Sequence, residues 1–265
     1  MLENKKEFKL ITKKNPKSLL PNALTIFGVC LGLSSIKFAL DANYGMAIIA
    51  IGFAAILDTL DGRVARLIKG TSKIGKELDS LTDVISFGVA PGFIIYFWTL
   101  NEIGKFGWMF VLIYTVCCAL RLARFNLMIT EENETWKINF FEGVPSPAAA
   151  GLVLLPLILS LSGIVQFENY TVLSSIAILT TSILMISKIP TYSLKRILIP
   201  RHLAIFLLLG IGVYVSLLIF YTFETLFVSG LIYIILIPIS FFHFRYLNKK
   251  SLISAHEEEE TEDVL

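Results

Sequence analysis

Long apolar runs, recurring along almost the whole chain, constrain this sequence more than any other feature. Each is close to the roughly 20 residues that cross about 30 Å of hydrocarbon as a helix. They lie near residues 19–38, 44–66, 78–99, 107–128, 146–163, 170–188, 203–221 and 224–244. The connections between them are short, so neighbouring helices should pack antiparallel in one bundle. Composition points the same way: 55% of the 265 residues are hydrophobic and only 17% charged, with a mean hydropathy of +0.73. That is too apolar for a water-soluble globular protein of this size. The expected fold is all-α, a polytopic transmembrane bundle of about eight spanning helices.

The net charge of +2 is uninformative until it is resolved by position. With the N-terminus on the cytoplasmic side, the eight-span count leaves only Lys37 and Lys105 outside, among 23 lysines and arginines. Loops on the cytoplasmic side carry such an excess, and an odd number of spans would scramble it. The basic residues therefore report topology, not a nucleic-acid partner. Both termini are expected in the cytoplasm. Residues 1–18 read as a basic segment, too long and charged to be a cleaved signal, and 248–265 as an acidic, solvated, disordered tail. Cys30, Cys117 and Cys118 sit in apolar runs without metal-ligand spacing and read as small buried hydrophobes.

Four carboxylates break the apolar pattern. Asp58 and Asp61 close the second run, while Asp79 and Asp83 open the third. One aspartate at mid-membrane costs about 2.5–3.5 kcal/mol, less toward the interface, so four left unpaired could cost on the order of 10 kcal/mol. Pairing with nearby arginines or capping of helix ends could explain a single one. The spacing argues for more: i, i+3 and i, i+4 place each pair on one helix face, and a short hairpin brings the two faces together. Like charges gathered in this way need a divalent cation between them. Oxygen-only ligands favour Mg²⁺ or Mn²⁺ over zinc, and four carboxylates can hold two ions.

Small residues and one cation continue the same stripe. Gly62, Ala65 and Arg66 follow Asp58 by four, seven and eight positions. Together they offer an open helix surface to a flat base or a diphosphate, and a guanidinium to hold phosphate oxygens in pairs. Gly75 lies four residues before Asp79 on its face, and Thr71 or Ser72 can cap the third helix where its amides favour an anion.

Asp58, Asp61, Gly62, Ala65, Arg66, Gly75, Asp79 and Asp83 reproduce, without departure, a signature that resembles the CDP-alcohol phosphatidyltransferases. The likeness extends over roughly the first 150 residues. Leu20-Pro21-Asn22 with Thr25, Ser86-Phe87-Gly88 with Ala90-Pro91, Arg121 with Arg124 and Asn126, and Gly143 with Pro145-Ser146-Pro147 are similar to the bacterial integral-membrane phosphatidylserine synthase branch. That resemblance implies catalytic helices over 19–165, followed by motif-free transmembrane helices over 166–247. It implies transfer of the phosphatidyl group from CDP-diacylglycerol to the hydroxyl of L-serine, with release of CMP. It also assigns roles: Asp58, Asp61, Asp79 and Asp83 hold Mg²⁺ or Mn²⁺, two ions in all, and Asp83 doubles as general base. Gly62, Ala65, Arg66, Ser72 and Gly75 surround the nucleotide lipid, and Asn22 and Thr25 close its pocket. A homodimer in the inner, cytoplasmic membrane, with its active site facing the cytoplasm, is the implied assembly.

Arg121 and Arg124, i and i+3 at the end of the fourth span, are divided between anchoring at the membrane surface and contact with the serine carboxylate or a phosphate. The Pro145-Ser146-Pro147 turn reads as the start of the fifth helix, and the three histidines form no ligand or triad spacing. Two rivals remain. Another acceptor alcohol, glycerol 3-phosphate or an inositol phosphate, would use the same metal and nucleotide groups. A cation transporter could place an ion among the aspartates, but would have no need of the Gly62, Ala65 and Arg66 face.

Overall fold

The structure, a computed structural model, describes residues 19–68, 73–128, 140–192 and 201–262. The expectations for residues 1–18 and for Thr71 and Ser72 lie outside the described residues. In chain order come helices α1 (Leu19–Leu40), α2 (Tyr44–Leu67), α3 (Lys73–Asp83), α4 (Ala90–Trp98), α5 (Lys105–Met128), α6 (Ser146–Ser162), α7 (Tyr170–Ile186), α8 (Arg201–Phe220) and α9 (Thr222–Glu262). Among the described residues six helical spans are long and apolar enough to cross a membrane, α3 and α4 counting as one, and α6 and α7 are shorter apolar helices. These eight elements correspond to the eight expected spans. The chain is a polytopic helical membrane protein.

Details differ from the sequence reading in three places. The third span starts at Lys73, not at 78, and a π-helical turn, Val84–Val89, joins α3 to α4. An extra residue per turn is tolerated there because α5 takes up displaced carbonyls: the Tyr114 hydroxyl donates to Phe87 O at 2.6 Å and Thr115 Oγ1 to Gly88 O at 3.4 Å. A short antiparallel pair also appears, β1 (Phe140–Glu142) with β2 (Pro190–Tyr192), which an all-α pattern does not anticipate. Finally, α9 runs on to Glu262 where a disordered tail is expected from 248. The Ala, Leu, Lys and Glu residues of that stretch favour helix and extend one already nucleated by the apolar span.

The interior lies among α4, α5, α6 and α7, where Phe87, Ile94, Ile95, Tyr114, Leu154, Leu157, Ile178 and Met185 are fully buried. Most of the large apolar side chains of α8, by contrast, face outward, as suits a helix bathed in lipid. Close approach of α1 to the π turn depends on Gly32. A Cβ there would stand 2.5 Å from Ser86 Oγ and 2.9 Å from Ser86 Cα. Small residues permit such crossings between membrane helices.

Gly32→Ala should therefore push α1 off the turn, at a cost of about 1–3 kcal/mol for overpacking. A lower melting temperature in detergent, accompanied by reduced turnover, is the expected result. Unchanged melting would show that α1 does not pack against Ser86 in this way.

Candidate active site

The last three turns of α2 and the second half of α3 carry the four aspartates. One carboxylate oxygen each from Asp58, Asp61 and Asp79 falls within 4.8 Å of the others. Among the described residues the only ion pair is Lys37 with Asp41, so none of the described lysines or arginines forms one with these four acids. The i, i+3 pair on α2 faces the acids of α3, as their spacing predicts.

Neighbouring helices fix the individual carboxylates. Asp61 is 4% exposed, and Thr25 of α1 donates to its Oδ2 at 2.7 Å. Thr25, expected to close the nucleotide pocket, thus also orients a metal-ligand candidate. Asp83 stands beside Asp58. Its Oδ2 accepts a hydrogen bond from Ser146 Oγ at 3.1 Å, and Ser146 in turn accepts one from Arg121 Nη1 at 3.2 Å. Its other oxygen, Oδ1, is buried without a hydrogen-bond partner.

Ser146 owes its place to the turn before α6. Gly143 has φ +74°, and a Cβ on it would lie 2.7 Å from Met185 O and 2.9 Å from Ser187 O. Only glycine fits both that conformation and that proximity. Pro145, in extended conformation, then caps α6, whose first residue is Ser146. The sequence places Ser146 in a turn that starts a helix and within the resemblance, but gives it no contact with an aspartate. Its one available signal was a hydroxyl between two prolines at the mouth of an apolar helix.

The two arginines of α5 diverge. Arg121 is only 8% exposed and reaches the aspartates through Ser146. Arg124 donates instead to Ile186 O at 2.8 Å and Ser187 O at 3.3 Å, closing the carbonyl end of α7. It takes the structural role that basic side chains commonly play at a helix C-terminus. Asn126 Nδ2 donates to Ser80 Oγ at 2.9 Å, tying the end of α5 to α3.

The described nucleotide-lipid candidates sit on the same helices as the acids or on α1. Gly62 and Ala65 are half-buried on α2 and Arg66 is exposed. Arg66 Nη1 comes to 4.0 Å from where a Gly62 Cβ would stand, so the guanidinium folds back over the glycine. Asn22 is half-buried on α1, one turn before Thr25, and Gly75 half-buried on α3, one turn before Asp79.

These residues fit a hard divalent cation. The donors are oxygens only, and among the described residues no cationic side chain forms an ion pair with them. Three carboxylate oxygens within 4.8 Å of one another could converge on one such ion by adjustment of their side chains. The unmatched Oδ1 of Asp83 adds a fourth oxygen at the edge of the group.

Comparison with known proteins agrees with this geometry. Residues 18–187 match the family model for CDP-alcohol phosphatidyltransferase. The chain is 36% identical over 230 residues to a CDP-diacylglycerol–serine O-phosphatidyltransferase of Mycobacterium leprae, covering 86% of this chain and 76% of that one. A protein of the same name from Helicobacter pylori is 39% identical over 183 residues, 69% of this chain and 76% of its own. Its Bacillus subtilis counterpart is 34% identical over 177 residues, 67% and 92% respectively. The family match takes in α1 to α7 and every aspartate of the site, and the family depends on a divalent metal. On the strength of that match and of the carboxylate cluster it encloses, the chain belongs to the CDP-alcohol phosphatidyltransferase family.

Proposed function

We propose that this protein is a phosphatidylserine synthase, which moves the phosphatidyl group of CDP-diacylglycerol onto the hydroxyl of L-serine and releases CMP. The observation that carries the reading is the convergence of Asp58, Asp61 and Asp79 within 4.8 Å, with Asp83 at their edge. Relatives bearing that activity in their names support serine as the acceptor.

In this reading Asp58, Asp61, Asp79 and Asp83 would hold two Mg²⁺ or Mn²⁺ ions. Bound there, the metal supplies positive charge against the diphosphate and the CMP that departs. Gly62 and Ala65 leave room for the nucleotide against α2, Arg66 grips the diphosphate oxygens, and Asn22, Thr25 and Gly75 border the same pocket; Ser72, which the resemblance adds to it, lies outside the described residues. Asp83 takes the proton of the serine hydroxyl. The freed oxygen attacks the phosphorus attached to diacylglycerol, a P–O bond forms, and the bond from that phosphorus to the CMP oxygen breaks. Arg121, buried beside Asp83, offers its charge to the serine carboxylate.

The excess of lysine and arginine on one side supports a multi-pass protein of the cytoplasmic membrane with both termini and the site facing the cytoplasm. Serine then arrives from water while the acyl chains stay in lipid. Family resemblance supports a homodimer. Residues 19–165 act as the catalytic helices, with 166–247 as further transmembrane helices.

Incubating the purified protein with CDP-diacylglycerol and serine, glycerol 3-phosphate or an inositol phosphate tests the acceptor. Phosphatidylserine should be the favoured lipid product; preference for either phosphorylated alcohol would overturn the assignment. Arg66→Lys tests the diphosphate grip, because an ammonium cannot reproduce two parallel hydrogen bonds. It should raise the half-saturating CDP-diacylglycerol concentration by about tenfold, the equivalent of one such bond, with serine saturation little moved. A shift in serine saturation alone would place Arg66 at the acceptor.

A further inference from the structure

Five buried side-chain polar atoms lack a hydrogen-bond partner among the described residues: Asp83 Oδ1, Arg121 Nε, Ser174 Oγ, Tyr233 OH and Ser240 Oγ. Three of them, Asp83 Oδ1, Arg121 Nε and Tyr233 OH, come from three different helices and are linked electrostatically through Arg121. Arg121 interacts electrostatically with both Asp83 and Tyr233, and Ser146 bridges it to Asp83. Thr191 of β2 stands beside the Tyr233 phenol, but its hydroxyl donates to Gly143 O at 2.8 Å. Leaving one buried polar group unmatched costs about 1–3 kcal/mol. Three such groups on helices that meet at Ser146 and β2 offer unused hydrogen-bonding capacity to a polar molecule.

Tyr233 belongs to α9, beyond the family match that ends at 187. Its approach is built in. Gly230, three residues earlier on the same face, packs against α6, where a Cβ would lie 2.4 Å from Leu155 Cδ1. The helix that receives α9 is the one that opens with Ser146. Further along α9, His243 Nδ1 lies 2.9 Å from the Tyr192 hydroxyl, fastening α9 to β2.

The three groups are chemically complementary to a small hydroxy amino acid. A carboxylate oxygen suits a hydroxyl proton, while a guanidinium N–H and a phenolic O–H suit a carboxylate. We infer that Tyr233 is a specificity-determining residue of the acceptor pocket, its phenol donating to the serine carboxylate beside Arg121, so that the C-terminal hairpin completes the site. This rests on the serine-transfer reading. It gives α9 a role that no signature residue carries.

Tyr233→Phe removes the hydroxyl and keeps the ring, and the full-length protein bearing it should need about tenfold more serine for half-saturation. Saturation by CDP-diacylglycerol and the melting temperature should stay as in the parent. Ser240→Ala, one heptad along the same helix, should leave both saturations unchanged. Parental serine saturation in Tyr233→Phe overturns the inference. So does a parallel loss of nucleotide-lipid saturation and thermal stability, which would assign the tyrosine to packing. If the parent protein forms no phosphatidylserine, the serine-transfer reading itself falls; if it does and Tyr233→Phe matches it, only the role of Tyr233 falls.

Discussion

Asp79→Asn should reduce turnover by at least about a hundredfold, because it exchanges a charged oxygen for a neutral one in a cluster whose purpose is to hold a divalent cation. Asp79 is the only α3 member of the converging triad, so its loss also unlinks α3 from α2 at the site. Chelation should abolish activity in the parent, and Mg²⁺ or Mn²⁺ should restore it. In the variant, restoration should require a higher metal concentration or fail. Asp58→Asn and Asp61→Asn should behave alike, with Asp61 further handicapped because Thr25 would then face a neutral amide. Parental turnover and metal dependence in a folded Asp79→Asn protein would remove the metal assignment.

Asp83→Asn should separate chemistry from binding. Its carboxylate touches Ser146 and is not one of the three converging oxygens, which suits a ligand at the edge of the site that also accepts a proton. An asparagine keeps the shape and a neutral oxygen but cannot take up the serine proton. General-base catalysis is commonly worth about 10²–10⁴ in rate, so turnover should fall in that range while metal-dependent binding of CDP-diacylglycerol survives. Asp58→Asn should damage both. Equal loss of binding in the two variants would make Asp83 one more ligand.

The helices and the four aspartates were legible because both depend on local spacing. Apolar runs fix spans, and i, i+3 or i, i+4 acids fix a shared face. What decides how each carboxylate is held was not legible, since it comes from elsewhere in the chain: Thr25 reaches Asp61 across 36 residues, and Ser146 reaches Asp83 across 63. Periodicity tells which face a side chain occupies, not which helix faces it. Arg121 and Arg124 illustrate the limit. One turn apart on α5, they end on Ser146 and on the carbonyls of α7 respectively. Those carbonyls are available because α7 ends at Ile186, a fact about another helix. The π turn escaped for a similar reason: it is stabilised by Tyr114 and by the bare surface of Gly32 on separate helices.

Placing 166–247 among motif-free helices also left Tyr233 out of view. Nothing local distinguishes that tyrosine from others in apolar runs. The burial of its hydroxyl without a partner among the described residues, in the field of Arg121, is visible only once α9 is seated on α6.

The most direct test of the central claim is to strip the purified protein of metal, add CDP-diacylglycerol and L-serine, and identify the products by mass spectrometry before and after adding Mg²⁺ or Mn²⁺. Phosphatidylserine and CMP should appear in equal amounts, and only after the metal is supplied. CMP release without a serine-containing lipid, or the same products from the metal-free protein, would contradict it.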